Sequence, residues 1–494
     1  MRSVVPVGGR IAHVGEVLRS GRGSGRVRGD RKDLRLVAVA AWLLGLQVIG
    51  CSQPKPDNAK PPLANTASFV TAQSSSSTSS SSQTIASAQP IVDAGPPEPA
   101  QIDPDGNDEP EDPGTGAVPE KLTLERVGTP PLALTRICDL TVLGDTLYMA
   151  HANQPLGTDG ATITKYKPDP KTPFKIAFDW NRPGEPTKGG GAGQGFLRIR
   201  KIDGKLLVPD SDPPYGGLGV VDWGTEGYVF RSDEQGVFAK PRMPNFKPPP
   251  TAGVLPRAYH VLDVIKFKGA IYASTGSVPP TEKAWKGPAP GALHKANADL
   301  SRWTYETDYP FPWNNDVTRV TFMVRFKDRL YAGFQAFNGT DPNDIVYWTE
   351  VDHEHRHAVR ITKTGSAQTL RWWVDTGSKP HRLYWLSWAR DGILLRVTTD
   401  GDTWKLVDLP DDAGRPTDIT RFRDSVVVLT ERGLHKLDAE TGTTAVSTLA
   451  KVEEKKSPFT LDDYFCTAPL AVFDNTLYAG GQRGGTLYRF REGE

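Results

Sequence analysis

Seven times along the chain one short phrase returns: an apolar, β-rich run, a tight polar turn, then Leu, Ile or Val followed by another apolar residue. The turns are Gly144-Asp145, Asp203-Gly204, Lys268-Gly269, Lys327-Asp328, Asp391-Gly392, Arg423-Asp424 and Asp474-Asn475. Gly, Asn and Asp tolerate the positive φ that a two-residue turn requires, so each phrase reads as a β-hairpin. The phrases recur roughly every 50 to 65 residues, apart from one interval near 30, a period that belongs to propellers and solenoids. A second hairpin follows each phrase, as in Ala292 to Asn297 with Trp303 to Glu306, or Ile345 to Thr349 with Ala358 to Thr362. Four antiparallel strands per repeat make a propeller blade. The expectation is an all-β chain with a seven-bladed β-propeller of four-stranded blades. Six blades with one irregular hairpin is the alternative, because the short interval from Leu394 to Val426 hardly holds a whole blade.

The repeats occupy about Lys121 onward, so residues 121–494 read as the propeller domain. Lys and Arg number 59 against 58 Asp and Glu, and no field of one sign favours nucleic acid. Ahead of the repeats, Arg19, Arg22, Arg26, Arg28, Arg31, Lys32 and Arg35 precede an apolar stretch from Leu36 to Gly50 that is short for a membrane span. Residues 1–50 therefore read as a signal peptide, with a basic region long enough to place the true start codon downstream of Met1. Val48-Ile49-Gly50-Cys51 resembles the lipobox of bacterial lipoproteins. That resemblance implies acylation of Cys51 and, with Ser52 after it, an outer-membrane lipoprotein on the periplasmic side or at the cell surface. Residues 51–120 are rich in Ser, Pro, Gln and Asp and bury too little apolar surface to order. They read as a tether with an r.m.s. span near 45 Å by square-root scaling, roughly.

Thr398-Thr399-Asp400-Gly401-Asp402-Thr403-Trp404 resembles an Asp-box, the repeat of sialidase-like propellers, one residue short of the usual spacing. Asn297 to Trp303 is a looser echo, and Leu437 to Gly442 looks like the turn of quinoprotein-type repeats. In an Asp-box the carboxylate caps the turn's backbone N–H groups and the Trp packs between blades, so the resemblance concerns fold and not activity.

The chain has three cysteines. With Cys51 taken by lipid, Cys138 and Cys466 precede the first and last hairpins by similar distances, on strands that a closed ring makes neighbours. In an oxidising compartment they read as a disulfide worth roughly 5 kcal/mol at most, the alternative being two buried thiols.

Several groups are candidates for chemistry. Asp139, Arg198, Asp263 and Asp418 share one position on the innermost strands, and Arg257, Tyr259 and His260 lie beside Asp263, so these seven could form a ligand site at the channel mouth or simply bond channel water and neighbouring strands. Trp285, Tyr309, Phe311 and Trp313 offer ring faces for sugar stacking, or plugs between blades. His353, His355 and His357 would share a face on a strand and could then ligate zinc or copper, whereas a turn would scatter them. The glycine-rich stretch Gly189 to Gly195 lacks the Lys-Ser or Lys-Thr of a phosphate loop. A sialidase-like hydrolase or lyase would need converging arginines, for which Arg198, Arg257, Arg319 and Arg421 are available, with a Tyr/Glu nucleophile pair. No catalytic motif and no cofactor motif is evident. The expectation is a monomeric, non-enzymatic, lipid-anchored envelope protein that binds a protein or polysaccharide, with the glycan hydrolase as alternative.

Overall fold

The computed structural model describes residues 112–152, 160–180, 195–211, 226–241, 248–256, 258–276, 291–308, 318–336, 345–351, 358–361, 366–389, 392–460 and 465–493. The expected signal peptide, Cys51 and most of the tether lie outside these residues, as do Arg257, Trp285, Tyr309, Phe311, Trp313, His353, His355 and His357.

The fold is an all-β propeller of antiparallel sheets. A first strand, β1 (Leu122–Gly128), precedes the repeats. Runs of four successive strands then follow in chain order, except that the last run has three and takes β1 as its fourth. The first comprises β2 (Arg136–Leu143), β3 (Thr146–Ala152), β4 (Thr162–Tyr166) and β5 (Phe174–Asp179). The second comprises β6 (Arg200–Ile202), β7 (Lys205–Pro209), β8 (Glu226–Arg231) and β9 (Gly253–Pro256). Next come β10 (Tyr259–Phe267), β11 (Ala270–Gly276), β12 (Ala292–Ala296) and β13 (Trp303–Asp308), then β14 (Thr318–Phe326), β15 (Arg329–Ala336), β16 (Ile345–Trp348) and β17 (Ala358–Ile361). Two further sheets are β18 (Ser366–Asp375), β19 (Arg382–Ala389), β20 (Gly392–Thr398), β21 (Lys405–Leu406) and β22 (Pro416–Phe422), β23 (Ser425–Thr430), β24 (Gly433–Leu437), β25 (Ala445–Lys451). The last has the order β1-β28-β27-β26, from β26 (Leu470–Phe473), β27 (Thr476–Gly480) and β28 (Leu487–Glu492).

Five of these sheets are discrete four-stranded blades, which replaces the expected seven separate blades and the six-blade alternative. The remaining strands, β10–β13 and β14–β17, form one eight-stranded sheet, because β11 and β14 pair at Gly276 and Arg319. Two runs that the repeat pattern treats as separate units thus share a ladder at one point.

The short interval in the repeat pattern has a simple origin. The stretch that ends at Gly392 lies between the second and third strands of its sheet, β19 and β20, which pair as far as Ala389 and Gly392, and residues 390–391 lie outside the described residues. The first hairpin of that blade is β18–β19, closed by residues 376–381. In the other repeats the turns behave as expected, with positive φ at Gly144, Asp203, Gly204, Lys268, Gly269, Lys327, Arg423, Asp474 and Asn475.

The core lies between sheets. Tyr148, Ile163, Phe178 and Trp180 of the first sheet pack against Phe196, Leu206, Val208 and Phe230 of the second. Ile137, Leu147 and Tyr166 meet Ala471, Phe473 and Tyr478 of the last sheet, which closes the ring. Two covalent and hydrogen-bonded latches hold that seam. β1 pairs with β28 from Leu122–Glu492 to Gly128–Leu487, and Cys138 is disulfide-bonded to Cys466 with Cα atoms 4.6 Å apart.

Tyrosines tie four of the runs to the next. The Tyr148 hydroxyl donates to the Gly236 carbonyl (3.5 Å), Tyr272 to Val351 (3.4 Å), Tyr331 to Gly401 (3.3 Å) and Tyr384 to Gly442 (3.2 Å). Each tyrosine sits on the second strand of its run, two residues into it, and reaches an outer turn of a later run. The turns at Gly236, Gly401 and Gly442 are capped by carboxylates. Asp400 Oδ1 accepts from the Asp402 and Thr403 N–H groups at 2.8 and 2.7 Å, and Asp233 Oδ1 accepts from Gln235 and Val237 at 3.0 and 2.8 Å. Trp404 packs on Trp385, ring centres 5.5 Å apart.

Candidate functional site

The innermost strands β2, β10, β18 and β22 each carry a register shift just before Asp139, Asp263, Arg371 and Asp418. An extra residue in one strand redirects the side chain that follows it. The three carboxylates use the redirection in the same way. Asp139 Oδ2 accepts from the Ile199 N–H (3.0 Å), Asp263 Oδ2 from Met323 (2.8 Å) and Asp418 Oδ2 from Leu470 (2.7 Å), so each binds the backbone of the next run in the chain. Asp263 Oδ1 and Asp418 Oδ1 also accept from the following residue of their own strand, Val264 and Ile419, at 2.9 and 2.8 Å.

Arginines complete the arrangement. Arg371 donates from Nη1 to Asp139 Oδ1 (2.9 Å) and from Nη2 to the Cys138 carbonyl (2.8 Å), while its Nε lies 3.3 Å from both Thr467 Oγ1 and Asp418 Oδ1. One guanidinium therefore joins the fifth run of the repeats to the first, the sixth and the segment carrying Cys466. Arg200 forks onto Asp263, Nε to Oδ1 at 2.9 Å and Nη2 to Oδ2 at 2.8 Å. Arg198 donates to the Leu197 carbonyl (3.1 Å) and to that of Leu370 (2.6 Å), with its guanidinium 3.8 Å from the centre of the Phe322 ring. Asp139, Arg198, Asp263, Arg371 and Asp418 are all buried. Counting Arg200, three arginines balance three aspartates.

Burial and the Arg371 charge push the Arg198 guanidinium down to about 9, leaving it a cation at neutral pH. Burial alone would lower Arg371 too, but Asp418 and Asp139 outweigh it and hold it up. Burial raises Asp418 to about 6 against the pull of Arg371 and two backbone donors. Three short donor contacts on one carboxylate make the ion pair its state at neutral pH.

Of the residues expected at the channel, Asp139, Arg198, Asp263 and Asp418 thus converge on this clasp and spend their hydrogen bonds on protein groups. His260 stands at the end of β10 with φ 57°, and its Nδ1 donates to the Ser211 carbonyl at 2.9 Å. Burial, with the Arg319 charge nearby, holds it well below its ordinary range. Tyr259 opens the same strand. Of the arginines that a hydrolase would have to bring together, those described have separate partners: Arg198 as above, Arg319 beside Phe465 (5.4 Å to the ring centre), and Arg421 forked onto Asp375 at 2.8–3.0 Å.

Sequence reasoning missed Arg371 and Arg200. The signal for Arg371 was present: it lies four residues before the end of β18, as Asp139, Asp263 and Asp418 do in their strands. It also missed three buried histidines inside blades. His151 Nδ1 donates to the Arg136 carbonyl (3.0 Å), so its Nε2 accepts from the Thr164 hydroxyl (2.7 Å). His294 donates to the Pro256 carbonyl (3.1 Å), and His435 sits between Thr430 and Thr448 at 3.3 and 3.1 Å. Among the described residues no group of three His, Cys, Asp or Glu is placed to hold a metal ion.

No protein-family model and no curated protein matches the chain. Among solved structures it is similar to a streptogramin B lyase, with TM-score 0.46 and 10% identity over 76% of this chain and 100% of that one. It is also similar to a catalytically inactive virginiamycin B lyase from Staphylococcus aureus with quinupristin (0.44, 10%, 75% and 99%). A third is BamB from Moraxella catarrhalis (0.34, 12%, 76% and 98%). Likenesses this distant carry no argument about activity.

Proposed function

We propose that this chain is a non-enzymatic, lipid-anchored protein of the cell envelope whose propeller binds a protein or polysaccharide partner. The observation that carries the reading is the channel clasp. Hydrolysis of a glycoside needs at least one carboxylate free to work at the scissile bond, paired with a second carboxylate or with a tyrosine nucleophile. Asp139, Asp263 and Asp418 instead each hold backbone N–H groups and an arginine, so they stabilise the ring and are poor acids or bases. A rigid ring with long inter-strand connections suits recognition, and the lipobox-like Val48-Ile49-Gly50-Cys51 supplies the anchor and the outer-membrane location.

The test is to incubate the full chain with a panel of envelope and extracellular polysaccharides, scoring retained complex and released reducing ends together. Retention without release is expected for a polysaccharide partner, neither for a protein partner. Release of reducing ends sinks the non-enzymatic reading. In cells fed an alkyne fatty acid, Cys51→Ser is expected to abolish labelling, and persistent labelling removes the anchor.

A further inference from the structure

The face of the ring that carries the first turn of each run holds a feature unrelated to the channel. A hollow of about 230 Å³ opens between the β22–β23 turn and the last sheet, lined by Leu122, Phe422, Arg423, Asn475, Thr476 and residues 489–492. Three arginines line it, Arg423, Arg489 and Arg491, against one carboxylate, Glu492. Behind the lining, Glu125 accepts from Arg489 at 2.9 and 3.0 Å and from Arg491 Nε at 2.6 Å. Even with Glu125 included, three cations face two anions.

Arg423 is the focus. It sits in the turn with φ 54°, a conformation that costs a non-glycine residue energy, and its guanidinium lies 5.1 Å from the Phe422 ring centre. Nη1 donates to the Ala117 carbonyl and to Glu492 Oε1, both at 3.0 Å. Its Nε is buried and has no hydrogen-bond partner among the described residues. A buried charged donor left without an acceptor is costly, and an anion drawn to the Arg423 guanidinium would offset that cost. Glu492 is 65% exposed, so its carboxylate can swing away when another anion arrives.

The hollow lies beside the point where the N-terminal segment joins the ring. Residues 112–118, the end of the expected tether, are fastened there: Arg423 N–H donates to Pro113 O, Thr115 N–H to Asn475 Oδ1 at 3.0 Å and Val118 N–H to Asp424 Oδ1 at 3.0 Å. Two lining residues, Arg423 and Asn475, therefore also hold the strap.

We infer that this hollow binds a phosphate-class oxyanion, with Arg423 as the buried donor and Arg491 as the outer one. Arginine presents a planar set of donors that matches such an anion, and the local positive excess selects for negative charge. The anion is either free phosphate or the phosphodiester of a lipid headgroup. The second source rests on the lipid-anchor reading, since the strap is the end of the chain nearest Cys51; the site itself does not.

The full chain carrying Cys51→Ser, which removes any acyl group, is titrated with inorganic phosphate by calorimetry. Saturable binding is expected, weakened about tenfold or more by Arg423→Gln, the loss of one charge-assisted contact. Arg491→Ala, at a side chain 56% exposed and so outside the core, is expected to weaken it as well, and Glu492→Gln to strengthen it. The same chain is then mixed with phosphatidylcholine vesicles with and without phosphatidylglycerol. Vesicle binding that phosphate competes away assigns the headgroup as the source, and phosphate binding alone assigns the free ion. No saturable phosphate binding, or binding untouched by both arginine variants, overturns the site.

Discussion

Gly401 stands at φ +89°, its carbonyl accepts from the Tyr331 hydroxyl at 3.3 Å, and a Cβ built on it would lie 2.0 Å from that hydroxyl oxygen. Two separate penalties therefore meet Gly401→Ala: a left-handed backbone and a collision with a side chain from the preceding run. Together they are expected to cost about 2 to 3 kcal/mol in urea unfolding. Tyr331→Phe alone is expected to cost about 1 kcal/mol. In the Tyr331→Phe background Gly401→Ala should cost less, because the colliding oxygen is gone; an equal cost in both backgrounds places the whole penalty in the backbone. The tyrosine and the glycine are each visible in the sequence, Leu-Tyr after the first turn and Asp-Gly in the outer one. Their pairing is not, because 70 residues and a sheet boundary separate them. The buried histidines were hidden for a related reason, since each is a lone His in an apolar strand whose partner is a threonine or carbonyl on another strand. Burial holds His151 down to about 3 and His294 and His435 to about 4, all below the ordinary value of 6.5. Above pH 6.5 both folded and unfolded states keep them neutral. Between 6.5 and 4 the unfolded chain takes up protons that the folded one refuses, so stability falls with pH by about 1.4 kcal/mol per unit for each histidine. Asp418, raised to about 6, acts in the opposite sense from pH 4 to 6 and reduces the net slope. Thermal unfolding at pH 7, 6 and 5 is expected to show a falling Tm, with a shallower fall in His435→Asn; an unchanged slope in that variant would mean that His435 does not titrate with unfolding.

At the scale of strands, the hairpins that could be read are those whose turn carries its own conformational demand. Positive φ at Asp203-Gly204 or Asp474-Asn475 is a local requirement, and local residue choice reports it. The β18–β19 hairpin is closed differently. Its loop is held by side chains: Asp375 Oδ1 accepts from the Gly377 N–H at 3.1 Å and binds Arg421 from β22. Nothing in that stretch resembles a two-residue turn, whereas Asp391-Gly392, which falls between β19 and β20, does in sequence. The same blade carries Arg371, and the error in register concealed that it occupies the aspartates' position. Its role predicts a large effect. Arg371→Met leaves Asp139 and Asp418 buried without their cation, a change expected to cost about 3 to 5 kcal/mol. Arg371→Lys keeps the charge but cannot span Asp139, the Cys138 carbonyl and Thr467 at once, so it should fall between. Chemical unfolding of the two variants checks both values, and a loss under 1 kcal/mol for Arg371→Met would show that the clasp relaxes around the missing group.

For the whole ring, the question is what keeps the ends of the chain together. The first and last sheets meet through packing, the β1–β28 ladder, the Cys138–Cys466 bond, the Arg371 guanidinium and hydrogen bonds such as Ile137 N–H to the Gly481 carbonyl and Gln482 Nε2 to the Ile137 carbonyl. The cysteines could be paired from the sequence because they stand at matching places in the first and last repeats. β1 could not, because Leu122 to Val127 has no hairpin partner nearby and its mate lies at the far end of the chain. The two latches close nearly the same loop, and a loop already closed by one gains little further entropy from the other. Their contributions should therefore be strongly non-additive. Replacing both cysteines, Cys138→Ala with Cys466→Ala, should lower the urea midpoint moderately while β1 is in place, and a chain beginning at Thr129 should do the same while the disulfide is intact. Losing both should cost well over the sum of the two single losses and broaden the transition, since the seam then rests on side-chain packing, the Arg371 bridge and a few hydrogen bonds around Ile137 and Gln482. If the two losses add to within about 0.5 kcal/mol, the latches stabilise separate parts of the ring, and its closure depends on the packed seam and not on either of them.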